Sequence, residues 1–182
     1  YLPRVAGMVT VSEGIADAYA ERFEISRPRV VTNAADYVEV SPSALLPGKI
    51  RLVHHGICAP SRHIDRMLDT MELLDERFSL DLFLIPGSPR RYFDAMVSRA
   101  KDLPRVRVLP PVPMNELIPT LQEYDGGVYI LPPSNFNNAH ALPNKFFDFV
   151  QARLMVAIGP SPEMARLVRH HDLGMVAEDF SP

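Results

Sequence analysis

The chain of 182 residues has a single cysteine, no tryptophan and a net charge of only −3. One cysteine, Cys58, cannot form an intramolecular disulfide or a cysteine-based metal site, so the sequence predicts a protein of the reducing cytoplasm. No apolar run is long enough to predict a membrane-spanning helix. The weak net charge argues against a protein whose main task is neutralising a nucleic-acid backbone, so we expect no nucleic-acid partner.

Several motifs of catalysis are missing as well. The chain contains no Gly-x-Gly-x-x-Gly string, no Walker motif and no Ser-His-Asp order. His54 and His55 are adjacent, but no acidic or histidine residue near them has the spacing of a metal ligand set. We therefore expect structural roles for both histidines, a buried packing role for Cys58, and no metal site.

What the sequence does contain is a regular alternation of strand-like and helix-like segments. The alternation predicts an α/β fold with a doubly wound parallel sheet, which is Rossmann-like. The predicted strands cover residues 50–55, 80–85, 106–109, 127–131, 155–158 and 174–177. The predicted helices cover residues 63–77, 91–103, 115–123 and 162–170, and a further helix starts at Pro143. Ligands bind beyond the carboxyl ends of such strands, so functional loops are expected after His55, Ile85, Leu109, Leu131 and Ile158.

A smaller β-α-β pattern precedes these strands. It comprises a strand over 5–11, a helix that follows Ser12 as its N-cap, and a strand over 29–33. Such a unit is too small to stand alone, and the Ser- and Pro-containing connection over 36–48 resembles a linker between domains. We therefore predict a domain boundary near residue 40.

The most informative segment is the helix that starts at Pro143. Proline suits the first helical position because its missing amide hydrogen would have no acceptor there. Leu142, the residue before it, carries no capping side chain. The first amides of the helix therefore stay free, and free amides at the positive end of a helix dipole attract phosphate. A nucleotide is the predicted ligand.

Several strings, taken in order, resemble retaining glycosyltransferases with the GT-B fold, of the group usually numbered family four. They are VTVSEGIA (9–16), VTNAAD (31–36), a strand ending in Gly56, YDGGV (124–128) and LPNKFFDF (142–149). The resemblance implies that residues 1–40 are the last β-α-β unit of an acceptor-binding domain plus the start of a linker. Residues 41–182 would then be the nucleotide-sugar-binding domain without its closing helices, and we expect a longer parent protein.

The resemblance also implies a role for individual residues. Gly56 would let the backbone approach the donor diphosphate, and Arg62 stands where the family has a lysine that contacts it. Pro111 and Val112 lie where loop backbone groups meet the base. Asp148 stands where a glutamate accepts hydrogen bonds from the ribose. The remaining predicted donor-site residues are Asn138, His140, Leu142, Pro143, Asn144 and Lys145.

Two of these positions depart from the family pattern. His140 stands where a glutamate helps to hold the donor sugar, and Asp148 is shorter than the usual glutamate. Asn135, Asn137 and Asn138 could supply sugar contacts instead. The alternative for Lys145 and Asp148, which share a helical face, is a solvated ion pair worth roughly 0.2–0.5 kcal/mol.

Three functions remain open. The first is retaining glycosyl transfer from a UDP- or GDP-linked sugar, in which Arg62 and Lys145 stabilise the leaving diphosphate without a cofactor or metal. The acceptor would be an unidentified sugar or lipid-linked molecule of polysaccharide biosynthesis, reached through peripheral membrane association of the missing domain, and this fragment alone would be inactive. The second is a binding or assembly module without turnover. The third is an unrelated doubly wound ligand-binding domain.

Overall fold

The computed structural model describes residues 2–34 and 36–181. Tyr1, Ala35 and Pro182 lie outside these ranges, so the outer bounds of both predicted domains and one position of the 31–36 string are not described. Within the described ranges, no helix combines the length and the apolar character that crossing a membrane requires.

A small unit opens the chain. After a 3-10 turn at Leu2–Arg4 it comprises β1 (Val9–Thr10), α1 (Glu13–Phe23) and β2 (Arg29–Val30), whose two strands pair in parallel. Both strands are shorter than predicted. The segment over 36–48 that follows contains no helix or strand. The predicted boundary near residue 40 stays a prediction.

Six parallel strands form the main sheet, in the order β5-β4-β3-β6-β7-β8. These strands are β3 (Ile50–Cys58), β4 (Phe78–Pro86), β5 (Val106–Leu109), β6 (Gly126–Tyr129), β7 (Met155–Ile158) and β8 (Gly174–Val176). The connecting helices are α2 (Ile64–Leu73), α3 (Arg90–Lys101), α4 (Met114–Leu121), α5 (Phe136–Ala139), α6 (Asn144–Gln151) and α7 (Pro162–His171). The winding direction reverses between β3 and β6, so the predicted doubly wound, Rossmann-like fold is confirmed.

The central strands are buried because helices cover the sheet. Leu80, Leu82 and Leu84 of β4 are at most 2 % exposed, and Phe146 and Phe149 of α6 are equally buried against the sheet. Strands that helices cover on both faces have continuous apolar sequences, and these apolar runs are the pattern that predicted the strands.

Several local predictions were wrong, at the end of a strand or helix or in a loop. Gly56 does not end β3, which continues to Cys58, and its φ of +124° is a conformation that suits glycine. The loop after β6 contains the short helix α5, because the Asn135 side chain accepts a hydrogen bond from the Asn138 amide at 2.9 Å. Pro119 lies inside α4, which ends two residues earlier than predicted.

Pro143 occupies the N-cap of α6 rather than its first helical position. Its ψ of 151° is extended, and Asn144 is the first helical residue. The predicted and the observed helix start differ by a single residue, so a helix start without a capping side chain is still expected to leave its first amides free. No side chain caps this helix start, and among the described residues the amides of Asn144 and Lys145 have no hydrogen-bond partner, whereas the Phe146 amide donates to the Pro143 carbonyl at 3.0 Å.

Gly127 in β6 allows α6 to pack directly on the sheet. A Cβ built at this position would lie 2.3–2.6 Å from ring atoms of the buried Phe149. We expect Gly127→Ala to lower the free energy of unfolding by about 1–3 kcal/mol, because the ring has no room to move in a packed interior. Gly7→Ala is the matched control, since a Cβ there meets no atom within 4 Å. Urea unfolding of both variants makes the comparison, and equal stability of the two would contradict this packing argument.

Candidate functional site

The candidate site lies where the sheet reverses its winding. β3 and β6 are paired only over Leu52 and Val53 with Gly126 and Gly127, although β3 runs on to Cys58. The two strands therefore separate at their carboxyl ends and leave a crevice between them. Doubly wound sheets bind ligands at such a crevice. Arg62 follows β3 in a 3-10 turn, and Lys145 lies in α6, which follows β6. The two elements that carry the predicted cations therefore flank the crevice.

Gly56 and Lys145 meet in this crevice. A Cβ on Gly56 would lie 2.8 Å from Lys145 Nζ and 3.4 Å from its Cε. The missing side chain is therefore what gives the ammonium its place against β3. The family resemblance implies that Gly56 lets the backbone approach a diphosphate, whereas in this structure the space beside it holds the lysine.

Tyr129 joins Lys145 to Arg62. Lys145 Nζ lies 4.6 Å from the centroid of the buried Tyr129 ring, a cation–π distance. Arg62 Nη1 donates a hydrogen bond of 3.3 Å to the Tyr129 hydroxyl. We call these residues, together with His54, the lysine cluster: His54, Gly56, Arg62, Tyr129 and Lys145.

His54, in β3, completes the lysine cluster. Its side chain is fully buried, its Nδ1 is 2.8 Å from the Val128 carbonyl oxygen, and its Nε2 is 3.3 Å from Lys145 Nζ. A carbonyl only accepts, so Nδ1 carries the hydrogen and Nε2 presents a lone pair to the lysine. Burial and the nearby Lys145 charge lower the pKa of His54 well below its usual value, so the ring is neutral.

The two cations of the cluster have no carboxylate ion-pair partner among residues 2–34 and 36–181. Desolvation and the Arg62 charge lower the pKa of Lys145 to about 7, and Asp148 opposes them only in part. A half-buried pair of positive groups beside unpaired helix amides favours the binding of an anion.

Asp148 does not face solvent. It is 3 % exposed, and its Oδ2 lies 3.4 Å from His55 Nε2. Burial raises the pKa of Asp148 to about 6 and lowers that of His55 to about 3. The solvated Lys145–Asp148 ion pair considered above is therefore wrong, because the carboxylate is buried beside a neutral imidazole. Its role toward a ribose stays a prediction.

His140 lies against the N-terminal unit. A Cβ on Gly14 would approach its Nδ1 to 2.1 Å, and that Nδ1 is 3.9 Å from Glu163 Oε1. Glu163, at the start of α7, accepts a hydrogen bond of 2.6 Å from the Gly14 amide. The Ser12 hydroxyl makes no cap bond, so Glu163 rather than Ser12 satisfies the start of α1.

The other predicted residues take local roles. Asn138 is buried and donates a hydrogen bond of 3.0 Å to Ser134 Oγ inside its own loop. Asn144 is exposed and accepts a hydrogen bond of 2.9 Å from Asn33. The remaining three have no polar side-chain contact in the described part of the chain: Pro111 and Val112 follow the edge strand β5, and Leu142 is buried before α6.

Sequence reasoning missed His54 and Tyr129 as members of the site. Tyr129 was interpreted only as part of a strand, and His54 as a structural residue. The only signal in the sequence was a histidine inside a predicted strand, directly before His55 and Gly56.

Cys58 matches its predicted packing role, since burial raises the pKa of its thiol to about 11. In the described part of the chain, no cluster of three His, Cys, Asp or Glu side chains could hold a metal ion.

No protein-family model matches the chain, and no curated protein matches it. Solved structures of glycosyltransferases do match its fold. S. aureus TarM, in complex with Fondaparinux, alpha-GlcNAc-glycerol and UDP, superposes with a TM-score of 0.72 at 12 % identity, over 97 % of this chain and 34 % of TarM.

Two further neighbours act in lipopolysaccharide synthesis. WaaB, a lipopolysaccharide outer core galactosyltransferase, gives a TM-score of 0.64 at 11 % identity, over 94 % of this chain and 54 % of WaaB. WaaG, a glycosyltransferase involved in lipopolysaccharide biosynthesis, gives 0.54 at 14 % identity, over 94 % of this chain and 40 % of WaaG. Identities this low establish the fold alone. The chain has the Rossmann-like architecture of one half of a GT-B glycosyltransferase and spans a third to a half of these neighbours.

Proposed function

We propose that this chain is the donor-binding half of a glycosyltransferase and that its crevice binds the diphosphate of a nucleotide sugar. The observation that carries the proposal is the lysine cluster, in which two cations that have no carboxylate partner in the described part of the chain flank Gly56 at the switch point of the sheet. The first two amides of α6, which have no partner among residues 2–34 and 36–181, are further donors that suit a phosphate. TarM, which shares the fold, is seen with UDP.

Each group has a distinct task in this proposal. The Arg62 guanidinium grips a phosphate oxygen pair through its planar fork, and Lys145 supplies a point charge. Both stabilise the negative charge that develops on the leaving diphosphate, which is the main protein contribution expected in a transfer of this kind. We further propose a UDP- or GDP-linked donor, retention at the anomeric carbon and a sugar or lipid-linked acceptor.

A second candidate function is nucleotide-sugar binding without turnover. It is favoured by His140, which packs against Gly14 and Glu163 where the family resemblance expects a sugar-binding glutamate. Transfer assays on the longer parent protein decide between the two candidates, because both predict nucleotide binding by this chain.

Arg62→Ala tests the binding half of the proposal. We expect it to weaken UDP or GDP binding by about 10- to 100-fold, because it removes a charge-assisted hydrogen bond to phosphate. Isothermal titration calorimetry with UDP, GDP and the corresponding nucleosides measures this loss. Arg169→Ala is the matched control, since Arg169 is exposed in the last turn of α7, which precedes the start of β8 and so lies at the opposite edge of the sheet from the crevice.

The nucleosides make the experiment specific for phosphate. If the cluster recognises the diphosphate, Arg62→Ala leaves the much weaker nucleoside binding unchanged. An absence of binding to both nucleotides, or an equal loss in the Arg169 variant, would overturn the proposed function.

A further inference from the structure

We propose that His54 is the positioning residue of Lys145: its neutral imidazole accepts a hydrogen bond from the lysine through Nε2 and so holds the ammonium between Gly56 and the Tyr129 ring. The inference rests on the proposed function of the crevice, which it deepens by naming the residue that makes Lys145 ready for phosphate.

The geometry fixes both the tautomer and the orientation of the ring. β3 and β6 separate after Val53 and Gly127, and the His54 ring spans the resulting gap by donating from Nδ1 to the Val128 carbonyl at 2.8 Å. The ring is also stacked with Tyr129, with centroids 5.8 Å apart and planes inclined by 24°. A ring held at two sides cannot turn, so its Nε2 lone pair stays directed at Lys145 Nζ, 3.3 Å away.

The charged and titratable groups around Lys145 come from every element of the crevice. Arg62 and Tyr129 face it from the turn after β3 and from β6, and His54 from β3, while Asp148 lies one turn along α6 beside His55. Both histidines are neutral near pH 7, because burial lowers their pKa values. The lysine is thus held by a neutral acceptor and a ring face, and neither of these neutralises the charge of its protonated form, which stays available to an anion.

This arrangement couples phosphate binding to a proton. Because the pKa of Lys145 lies at about 7, part of the free protein carries a neutral amine near that pH. A bound diphosphate favours the ammonium, so binding takes up a proton. We expect the UDP affinity to fall by about 10-fold or more between about pH 6 and pH 8.5, and the calorimetric heats above pH 7 to depend on the ionisation enthalpy of the buffer.

The first experiment needs no substitution. Long-range ¹H–¹⁵N spectra of the wild-type chain distinguish the two neutral histidine tautomers, and we expect His54 to carry its hydrogen on Nδ1. A hydrogen on Nε2 would overturn the proposal, because that nitrogen could no longer accept from Lys145.

Two variants then separate the two hydrogen bonds of His54. His54→Asn keeps a donor near the Nδ1 position and loses the acceptor for Lys145, whereas His54→Gln can place its amide oxygen near the Nε2 position. We expect the Lys145 pKa to return toward its ordinary value in the Asn variant, because the freed ammonium turns out to solvent. In the Gln variant we expect it to stay near 7.

The lysine content makes this titration readable. The chain has only three lysines, and ¹H–¹³C spectra of lysine-labelled protein follow Lys49 and Lys101, which are exposed, as internal controls. A Lys145 that titrates identically in the wild type and in His54→Asn would overturn the inference. If the Asn variant does not fold, the tautomer and the Gln variant still decide.

The nucleotide measurement keeps the two proposals apart. If His54 positions Lys145, His54→Asn weakens UDP binding by about 10-fold at pH 6 and flattens its pH dependence, and His54→Gln restores both. If neither UDP nor GDP binds, the proposed function fails, whereas the tautomer and the lysine titration still test the positioning role.

Discussion

Lys145→Met is expected to remove most of the affinity for UDP or GDP and, at the same time, to make the folded chain more stable. The affinity loss follows because the ammonium would lie beside the diphosphate and is worth about 10- to 100-fold as a charge-assisted contact. The stability gain follows because a half-buried cation next to Arg62 is unfavourable in the free protein. Functional sites often carry such a conflict between binding and stability.

The sign of the stability effect follows from the lowered pKa of Lys145. Its folded value is about 7, against 10.5 for the ordinary lysine of an unfolded chain. Between these values the unfolded chain holds a proton that the folded chain has released, so stability falls as the pH drops from about 10.5 to 7. Below about pH 7 the whole penalty remains, and methionine abolishes it at every pH.

Urea unfolding measures this gain against a matched control. We expect Lys145→Met to raise the free energy of unfolding by about 2 kcal/mol at pH 7 and by less at pH 9.5, since the ammonium keeps some solvent contact. Lys101→Met, at the exposed end of α3, should change neither stability nor UDP affinity. A Lys145→Met chain that is less stable than the wild type at pH 7 would show that its ammonium is not under electrostatic strain.

A steep loss of stability below about pH 6 is the second large expected effect, and His54 is its source. The pKa of this buried ring is lowered well below 6.5, whereas the same histidine in the unfolded chain takes up a proton near 6.5. The unfolded state therefore binds one more proton than the folded state in this range. The expected slope is about 1.4 kcal/mol per pH unit for as long as the ring is protonated in the unfolded chain and neutral in the folded one.

His55 and Asp148 contribute little to this slope because their effects oppose each other. The lowered pKa of His55, about 3, removes stability as the pH falls from 6.5. The raised pKa of Asp148, about 6, adds stability as the pH falls from 6 to 3.8. Over the shared range the pair binds about as many protons folded as unfolded, so His54 remains the uncompensated group.

Urea unfolding at pH 6, 5 and 4 measures the slope in three chains. His54→Gln should flatten it by about one proton, whereas Asp148→Asn should steepen it, because the compensation for His55 is then lost. An unchanged slope in His54→Gln would place the acid sensitivity in another group.

The fold was largely predictable because its signals are local. The six strands of the main sheet were located by their apolar runs, and the cover of helices that makes these runs apolar is a general feature of parallel sheets. The errors fell where tertiary contacts decide. β3 continues through Gly56 because one of its edges is paired with β4 up to Cys58, and no local property of a glycine reveals that partner.

The candidate site was predictable only in part. Gly56, Arg62 and Lys145 were named in advance, and the structure brings them to one crevice. His54 and Tyr129 were missed because a histidine and a tyrosine inside strands are usually packing residues. Their importance depends on distances between segments that are far apart in the chain.

The sequence by itself determined the alternation of strands and helices, the uncapped helix start at Pro143 and the two cations that follow a strand and begin a helix. Those features depend on spacing and on the chemistry of single residues. Only the tertiary structure decided that β3 and β6 separate, that His54 bridges them as a neutral ring, and that Asp148 is buried beside His55. These depend on burial and on the orientation of neighbouring side chains, which set protonation states and which no spacing along the chain encodes.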